Sequence, residues 1–428
     1  MISLQIDTLG RLTWLDVVPD RVGDARPAEF EWQRLFDLMG LEIGEFTSVP
    51  PRLTPHHFAD ERVAWEGAFP EDAGASLRIE AAALAGRPAS LQLVTAHAPL
   101  EQPAAPASGP GSSARLPVAV IAFIGVLLLL VLTVIFGGLY VAQRNIRNGR
   151  GDPRGARRLG FAVAGVLGAA WLVGEHSYTP SDVNDFLRML IGAGALGGLT
   201  WALYLAIEPF MRRHAPEALI GWTRFVDGRL ADPLVGRDVL FGCAAGVLVR
   251  LLDLVPMTLS ERVETAGSYI GLPMGSPTAL FGEIVSTATI SLLMGLGLSF
   301  LYGLTFLATG RRAWISYAGW LFVFAAPGFI GGLTINGARP SATWLTAIFW
   351  ALAWAVWLFV LFRPGILVFL VMATSASLLT LSLPTLDFGS WYSASMVAGL
   401  AIFLGVAAYA FYRCVAWKGG LVEALGGH

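Results

Sequence analysis

The chain has 428 residues, of which 55% are hydrophobic and only 14% are charged. Soluble domains are nearer about a quarter charged, so this composition excludes a water-facing surface for much of the chain and indicates that lipid is part of its solvent. The formal net charge of -2 argues against a nucleic-acid partner, which requires a strongly basic face.

Residues 1–97 are predicted to form a small α+β head. Alternating apolar side chains around a Thr-Leu-Gly turn predict a β-hairpin over residues 2–18, and a second hairpin is predicted over 77–95. Apolar residues at helical spacing predict a short helix over 32–39, which should end at Gly40 because glycine commonly terminates helices.

The rest of the chain is predicted to be a linker, a membrane domain and a tail. Residues 98–115, rich in Pro, Ala, Ser and Gly, indicate a flexible linker. From residue 116 to 413, apolar stretches recur that are about 20 residues long, which is the length of a membrane-crossing helix. They predict an all-α polytopic bundle of about nine transmembrane helices, followed by a cytoplasmic tail over 414–428. The predicted spans are 117–141, 159–174, 187–209, 238–257, 279–308, 314–335, 342–362, 366–384 and 391–412.

Loop charges predict the orientation of this bundle. The loops that follow the first, third, fifth, seventh and ninth spans are rich in arginine, whereas the alternate loops carry mostly carboxylates. By the positive-inside rule the arginine-rich loops are cytoplasmic, so the head is expected outside the inner membrane and the C-terminus inside. A membrane-surface basic cluster is predicted from eight arginines: Arg144, Arg147, Arg150, Arg154, Arg157, Arg158, Arg212 and Arg213.

This orientation raises a question about export of the head. Residues 1–10 have no basic start followed by an apolar core, so they do not form a signal peptide. We therefore expect that the true start lies upstream or that the chain is a fragment of a longer protein with an earlier span; unaided translocation of the head is the less favoured alternative at this length.

A family resemblance begins at Arg144. The segments that carry it are RNIRNGRGDPRGARRLG at 144–160, YLAIEPFMRRHAPEALIGWTR at 204–224 and GRLADPLVGRDVLFG at 228–242. They resemble the C-terminal membrane region of serine/threonine protein kinases from acidobacteria, as do the head segments DTLGRLTWLDVVPD, EWQRLFDLMGL and ERVAWEG. The resemblance implies a bacterial protein in which a cytoplasmic kinase domain and a membrane span precede these segments, which would explain export of the head.

The kinase chemistry itself is missing from the chain. The sequence has no Gly-rich phosphate loop on a strand, no strand lysine and no His-Arg-Asp loop. The triplet Asp387-Phe388-Gly389 spells a kinase metal-binding motif, but without a catalytic loop before it we attribute it to chance. No catalytic residue, metal or cofactor is predicted.

The candidate intramembrane polar site consists of Arg250, Asp253 and Glu283. Arg250 and Asp253 are three residues apart in one apolar span, which places them on the same helix face. Charges at membrane depth usually face a bundle interior, so the pair is either a functional switch or a structural ion pair, and Glu283 either joins it or is interfacial. Glu208, followed by Arg212 and Arg213, predicts an interfacial salt bridge at a helix end.

Histidines beside carboxylates are candidate zinc ligands or pH sensors. His56-His57 in the head and Glu175-His176 at a helix end lack the spacing of a recognised metal site. We therefore predict no metal at either place.

Three functions are compatible with the sequence. The first is a non-catalytic sensory or anchoring module of a serine/threonine kinase system, with the bilayer and a cytoplasmic kinase domain as partners. The second is a small-solute transporter or channel, for which glycine- and proline-containing spans could supply broken helices. The third is an intramembrane enzyme, which would need more clustered polar residues than the spans contain.

Overall fold

The computed structural model describes residues 2–6, 10–17, 30–55, 57–69, 72–95, 118–174, 180–259, 277–336, 340–381, 388 and 393–415. The chain separates into two units, one made of Met1–Pro117 with Gly389–Trp391 and the other of Val118–Phe388 with Tyr392–His428. The described part is mostly helical, and its antiparallel sheet lies in the N-terminal unit. The predicted linker, residues 416–428 of the predicted tail, His56, Glu175 and His176 lie outside the described residues, whereas Cys414 and Val415 of the predicted tail are the last residues of a helix.

A six-stranded antiparallel sheet forms the first unit, with the strand order β1-β2-β6-β5-β4-β3. Its strands are β1 (Ile2–Ile6), β2 (Leu12–Val17), β3 (Thr47–Val49), β4 (Glu61–Phe69), β5 (Asp72–Leu84) and β6 (Arg87–Thr95). A helix α1 (Gln33–Met39) and a 3-10 turn (Ile43–Glu45) join β2 to β3 in the chain. Both predicted hairpins are confirmed, as β1–β2 and β5–β6.

The two faces of this sheet are buried in different ways. On one face, α1 packs Phe36 against Trp65, whose ring centroids are 5.1 Å apart, in a core that also holds Leu77 and Ile79. The helix ends as predicted at Gly40, which has a φ of 67° that a side chain would strain. The alternation of β5 therefore directs odd-numbered residues from Leu77 into this apolar core.

The other face of β5 carries a buried ion pair. Arg78 Nε donates to Glu80 Oε1 over 2.6 Å, and its guanidinium also pairs with Glu66. Glu80 in turn accepts from the backbone N–H of Arg52 at 3.0 Å, which fixes the segment 50–55 across the sheet. Burial alone would lower the pKa of Arg78, but the hydrogen bonds to Glu80 and Glu66 outweigh it and raise that pKa above its usual value.

The second unit consists of helices. They are α2 (Val118–Leu132), continued through a π turn (Thr133–Gly137) into α3 (Gly138–Arg147), then α4 (Pro153–Val173), α5 (Pro180–His214), α6 (Glu217–Val226), α7 (Pro233–Leu259), α8 (Pro277–Ala308), α9 (Ala313–Asn336), α10 (Pro340–Phe362), α11 (Ile366–Leu381) and α12 (Ser393–Val415). Long helices therefore occur at each of the nine predicted positions. The short helix α6 was not predicted.

Five of these helices are long and apolar enough, by length and composition within the described residues, to cross a membrane. They cover Phe123–Arg147, Pro153–Val173, Val183–His214, Leu280–Ala308 and Met396–Val415. Large apolar side chains such as Leu129 and Phe136 are exposed along the first of them, which water would penalise and lipid would not. These features indicate a membrane protein, while the count of nine spans stays a prediction.

The arginine-rich loops gather at one end of the bundle. The α3–α4 loop contacts the end of α5, since a side chain at Gly151 would lie 3.5 Å from Glu208 Oε2. Arg413 at the end of α12 donates to the carbonyl of Ala231 at 2.9 Å, and the start of α11 meets α6 where Gly365 touches Ala218. We call this region, which contains the loops 144–158, 212–237, 311–312, 363 and 413, the arginine-rich end.

Small residues allow neighbouring helices of the bundle to approach one another closely. Between α4 and α5, a methyl group added to Gly197 would lie 2.6 Å from the carbonyl oxygen of Gly160. Between α7 and α11, one added to Gly246 would lie 2.7 Å from Ser375 Cβ. Lipid is as apolar as the helices, so no hydrophobic effect drives the helices together. Close backbone approach at small residues provides the packing contacts that hold membrane helices together instead.

Gly197→Ala should therefore destabilise the bundle, and Gly198→Ala should not. The added methyl group of the first variant overlaps backbone, which costs about 1–3 kcal/mol, whereas the second has no atom within 4 Å of its new Cβ. Unfolding of each purified variant, followed by loss of helical circular dichroism on titration with a denaturing detergent, measures the difference. Equal unfolding midpoints for Gly197→Ala and Gly198→Ala would contradict the close backbone contact between α4 and α5.

Candidate functional site at the arginine-rich end

All eight arginines of the predicted basic cluster are exposed at the arginine-rich end. This end carries fifteen of the described arginines and four described carboxylates, and two more carboxylates lie directly beside it at Glu208 and Asp238. Four ion pairs use four of the arginines: Arg158–Asp227, Arg212–Glu208, Arg224–Asp232 and Arg237–Asp238. The surface is therefore strongly positive even after its described ion pairs are formed.

An open cleft of about 600 Å³ lies within this surface. The loop between α3 and α4 supplies Arg150 and Asp152 to its lining, and the end of α5 supplies Glu208, Arg212 and Arg213. We call it the basic cleft. The guanidinium groups of Arg150 and Arg213, which take part in none of the described ion pairs, suit a phosphate or carboxylate group, because each can donate two parallel hydrogen bonds.

Glu208 forms the floor of the basic cleft. Its side chain is only 1% exposed, and it pairs with Arg212 one helical turn later, as the sequence predicted. Its Oε2 atom is buried and has no hydrogen-bond partner among the described residues. A carboxylate buried at a helix end is held there by its cation, so Arg212 stabilises the floor rather than only binding at the surface.

The N-terminus of α4 closes one side of the basic cleft. Asp152 caps this helix, because its Oδ1 accepts from the backbone N–H groups of Arg154 and Gly155, both at 3.0 Å. Proline at the following position is also typical of a helix start. The sequence Gly-Asp-Pro thus fixes both the turn and the first residue of α4.

The helix α6 braces the arginine-rich end. Trp222 is 1% exposed within the bundle core, so α6 is inserted between other helices. Arg224 donates to both carboxylate oxygens of Asp232 at 2.7 Å, which ties α6 to the start of α7. Asn145 of α3 donates to the carbonyl of Leu205 on α5 at 2.9 Å. These contacts make the end a cross-linked platform.

The three residues of the predicted intramembrane polar site are not brought together by a described contact. Arg250 and Asp253 are half-buried on α7, with no ion pair within 4.0 Å between them. Glu283 lies on α8 and accepts from Thr287, which bonds in turn to Ser377 of α11 at 3.3 Å. The intramembrane polar site therefore stays a prediction. The described hydrogen bonds link Glu283 to α11 and not to α7.

Other candidate positions from the sequence are separate. His57 lies 3.6 Å from Asp16 in the head, and Phe388 of the kinase-like triplet is exposed. Within the described residues, no group of three or more His, Cys, Asp or Glu side chains could hold a metal ion.

Comparison of the chain with protein-family models, curated proteins and solved structures finds no match. The resemblance to acidobacterial kinases therefore stays a prediction.

Arg212→Ala should destabilise the protein more than Arg213→Ala. Losing Arg212 leaves the buried Glu208 carboxylate without its charge partner, which costs about 1–2 kcal/mol because Arg212 is itself partly in solvent. Arg213 lines the same cleft, but none of the described ion pairs involves it. Detergent-unfolding midpoints measure both variants, and adding Glu208→Gln to Arg212→Ala should recover part of the loss. If Arg213→Ala lowered the unfolding midpoint as much as Arg212→Ala does, the Glu208–Arg212 ion pair would not explain the loss of stability.

Proposed function

We propose that this chain is the non-catalytic sensory or anchoring membrane module of a bacterial serine/threonine kinase signalling system. In this proposal it crosses the inner membrane about nine times, with the head outside and the arginine-rich end in the cytoplasm. The family resemblance at 144–242 is the basis for the kinase partner. The positive-inside rule is the basis for the orientation.

The structural observation that carries the proposal is the braced arginine-rich end. A module that reports a change in its helices to a cytoplasmic partner needs a surface that moves as one body. The ion pairs of α6 and the insertion of Trp222 link α4, α5, α7 and α11 at this surface. A displacement of one helix would therefore be shared by the others.

A purely anchoring role and a sensory role make different use of this end. An anchor requires only that the arginines hold the end in an anionic headgroup layer. A sensor requires in addition that the platform contacts the kinase domain, and the basic cleft offers a site for a carboxylate or phosphorylated side chain of that domain.

Transport is favoured less by the described contacts. That alternative rests on the glycine- and proline-containing spans, and the candidate polar residue Glu283 bonds through Thr287 to α11 rather than to Arg250 or Asp253. We therefore retain transport as the alternative and the kinase-linked module as the proposal.

Photo-crosslinking in native membranes tests the proposed partner. A benzophenone amino acid replaces Arg213 at the arginine-rich end in one variant and the exposed Ser48 of β3 in the control. We expect crosslinked peptides from a serine/threonine kinase catalytic domain at position 213 and not at position 48, as identified by mass spectrometry. Kinase peptides at neither position, or at position 48 alone, would contradict the proposal.

A further inference from the structure

A second hollow lies near the basic cleft, between α5, α8, α9 and α10, and has a volume of about 160 Å³. We call it the aromatic cavity. Five rings contribute to its walls: Phe210, His214, Tyr302, Phe306 and Phe362. None of the described residues that line it is Asp, Glu, Lys or Arg, so this lining lacks the fixed charges of the basic cleft.

The walls of the aromatic cavity are held by ring stacking. Tyr302 stacks on Phe362 with centroids 4.0 Å apart, and His214 stacks on Phe210 at 4.5 Å. Phe210 can lie against α8 because residue 303 is glycine, where an added Cβ would be 3.3 Å from the ring. The cavity shape thus depends on a few defined contacts.

Polar groups on the lining give the aromatic cavity hydrogen-bonding capacity. Ser299 is 2% exposed, and its hydroxyl has no partner among the described residues. His214 Nδ1 lies 3.0 Å from the carbonyl of Phe210. A carbonyl only accepts, so Nδ1 carries a proton, and Nε2 is the second polar atom of the ring. Tyr302 adds a phenol.

We propose that the aromatic cavity binds a small neutral aromatic ring that bears one hydroxyl or carbonyl oxygen. A cavity of about 150 Å³ accommodates a benzene ring, which matches one six-membered ring here. Aromatic walls favour a flat ligand, and the polar groups of Ser299 and His214 favour an oxygen on it. This inference goes beyond the proposed function, since binding does not require a kinase partner.

Binding of 4-fluorophenol, followed by fluorine NMR of the full chain in lipid nanodiscs, tests the proposal. We expect saturable binding above the background of empty nanodiscs, and binding of fluorobenzene that is weaker by about three- to tenfold because it lacks the hydrogen bond. Ser299→Ala should weaken binding of the phenol by a similar factor and leave fluorobenzene unaffected.

Filling the cavity provides the matched controls. Ala215→Leu places a larger side chain in the lining and should abolish saturable binding, whereas Ala318→Leu, at an exposed position of α9, should leave it unchanged. Gly303→Ala, which should press Phe210 toward the cavity, is the second filling variant if Ala215→Leu does not fold. No saturable binding to the unmodified chain, or binding that survives both filling variants, would overturn the proposal.

Discussion

The low dielectric of the bilayer is the constraint on which this structure depends. A charge at membrane depth is expensive, so charged side chains must lie at helix ends or find partners. The chain meets this constraint by placing fifteen described arginines at one end of its bundle. The same constraint explains the pair of Glu208 and Arg212, because a buried carboxylate is stabilised by a cation within one helical turn.

The way the helices pack together is also set by the lipid that surrounds them. Lipid provides no hydrophobic force between helices, so they associate through close contact of small residues such as Gly160 and Gly197. The polar contacts that brace the bundle are concentrated at the arginine-rich end, where Arg224 and Asp232 fix α6. Two different recesses result: a charged cleft suited to anionic groups and an apolar cavity suited to a ring.

Local features were predictable from the sequence, and features that depend on distant contacts were not. Both hairpins, the helix ending at Gly40 and the Glu208–Arg212 pair follow from short-range patterns, and the structure confirms them. The helix α6 was missed because a helix of 10 residues has too few turns for its apolar face to stand out. The apolar residues Ala218, Leu219 and Trp222 were the available signal. The cleft and the cavity unite residues from separate helices, which no local pattern reveals.

The side of the membrane that each unit faces is the central claim, and cysteine accessibility in intact cells tests it most directly. The native Cys243 and Cys414 are buried, so single cysteines can be introduced at Ser48 in the head, at Asn148 in the arginine-rich end and at Lys418. We expect an impermeant maleimide to label position 48 from outside, and to label positions 148 and 418 only after the membrane is permeabilised. Labelling of position 148 from outside, with position 48 protected, would contradict this orientation.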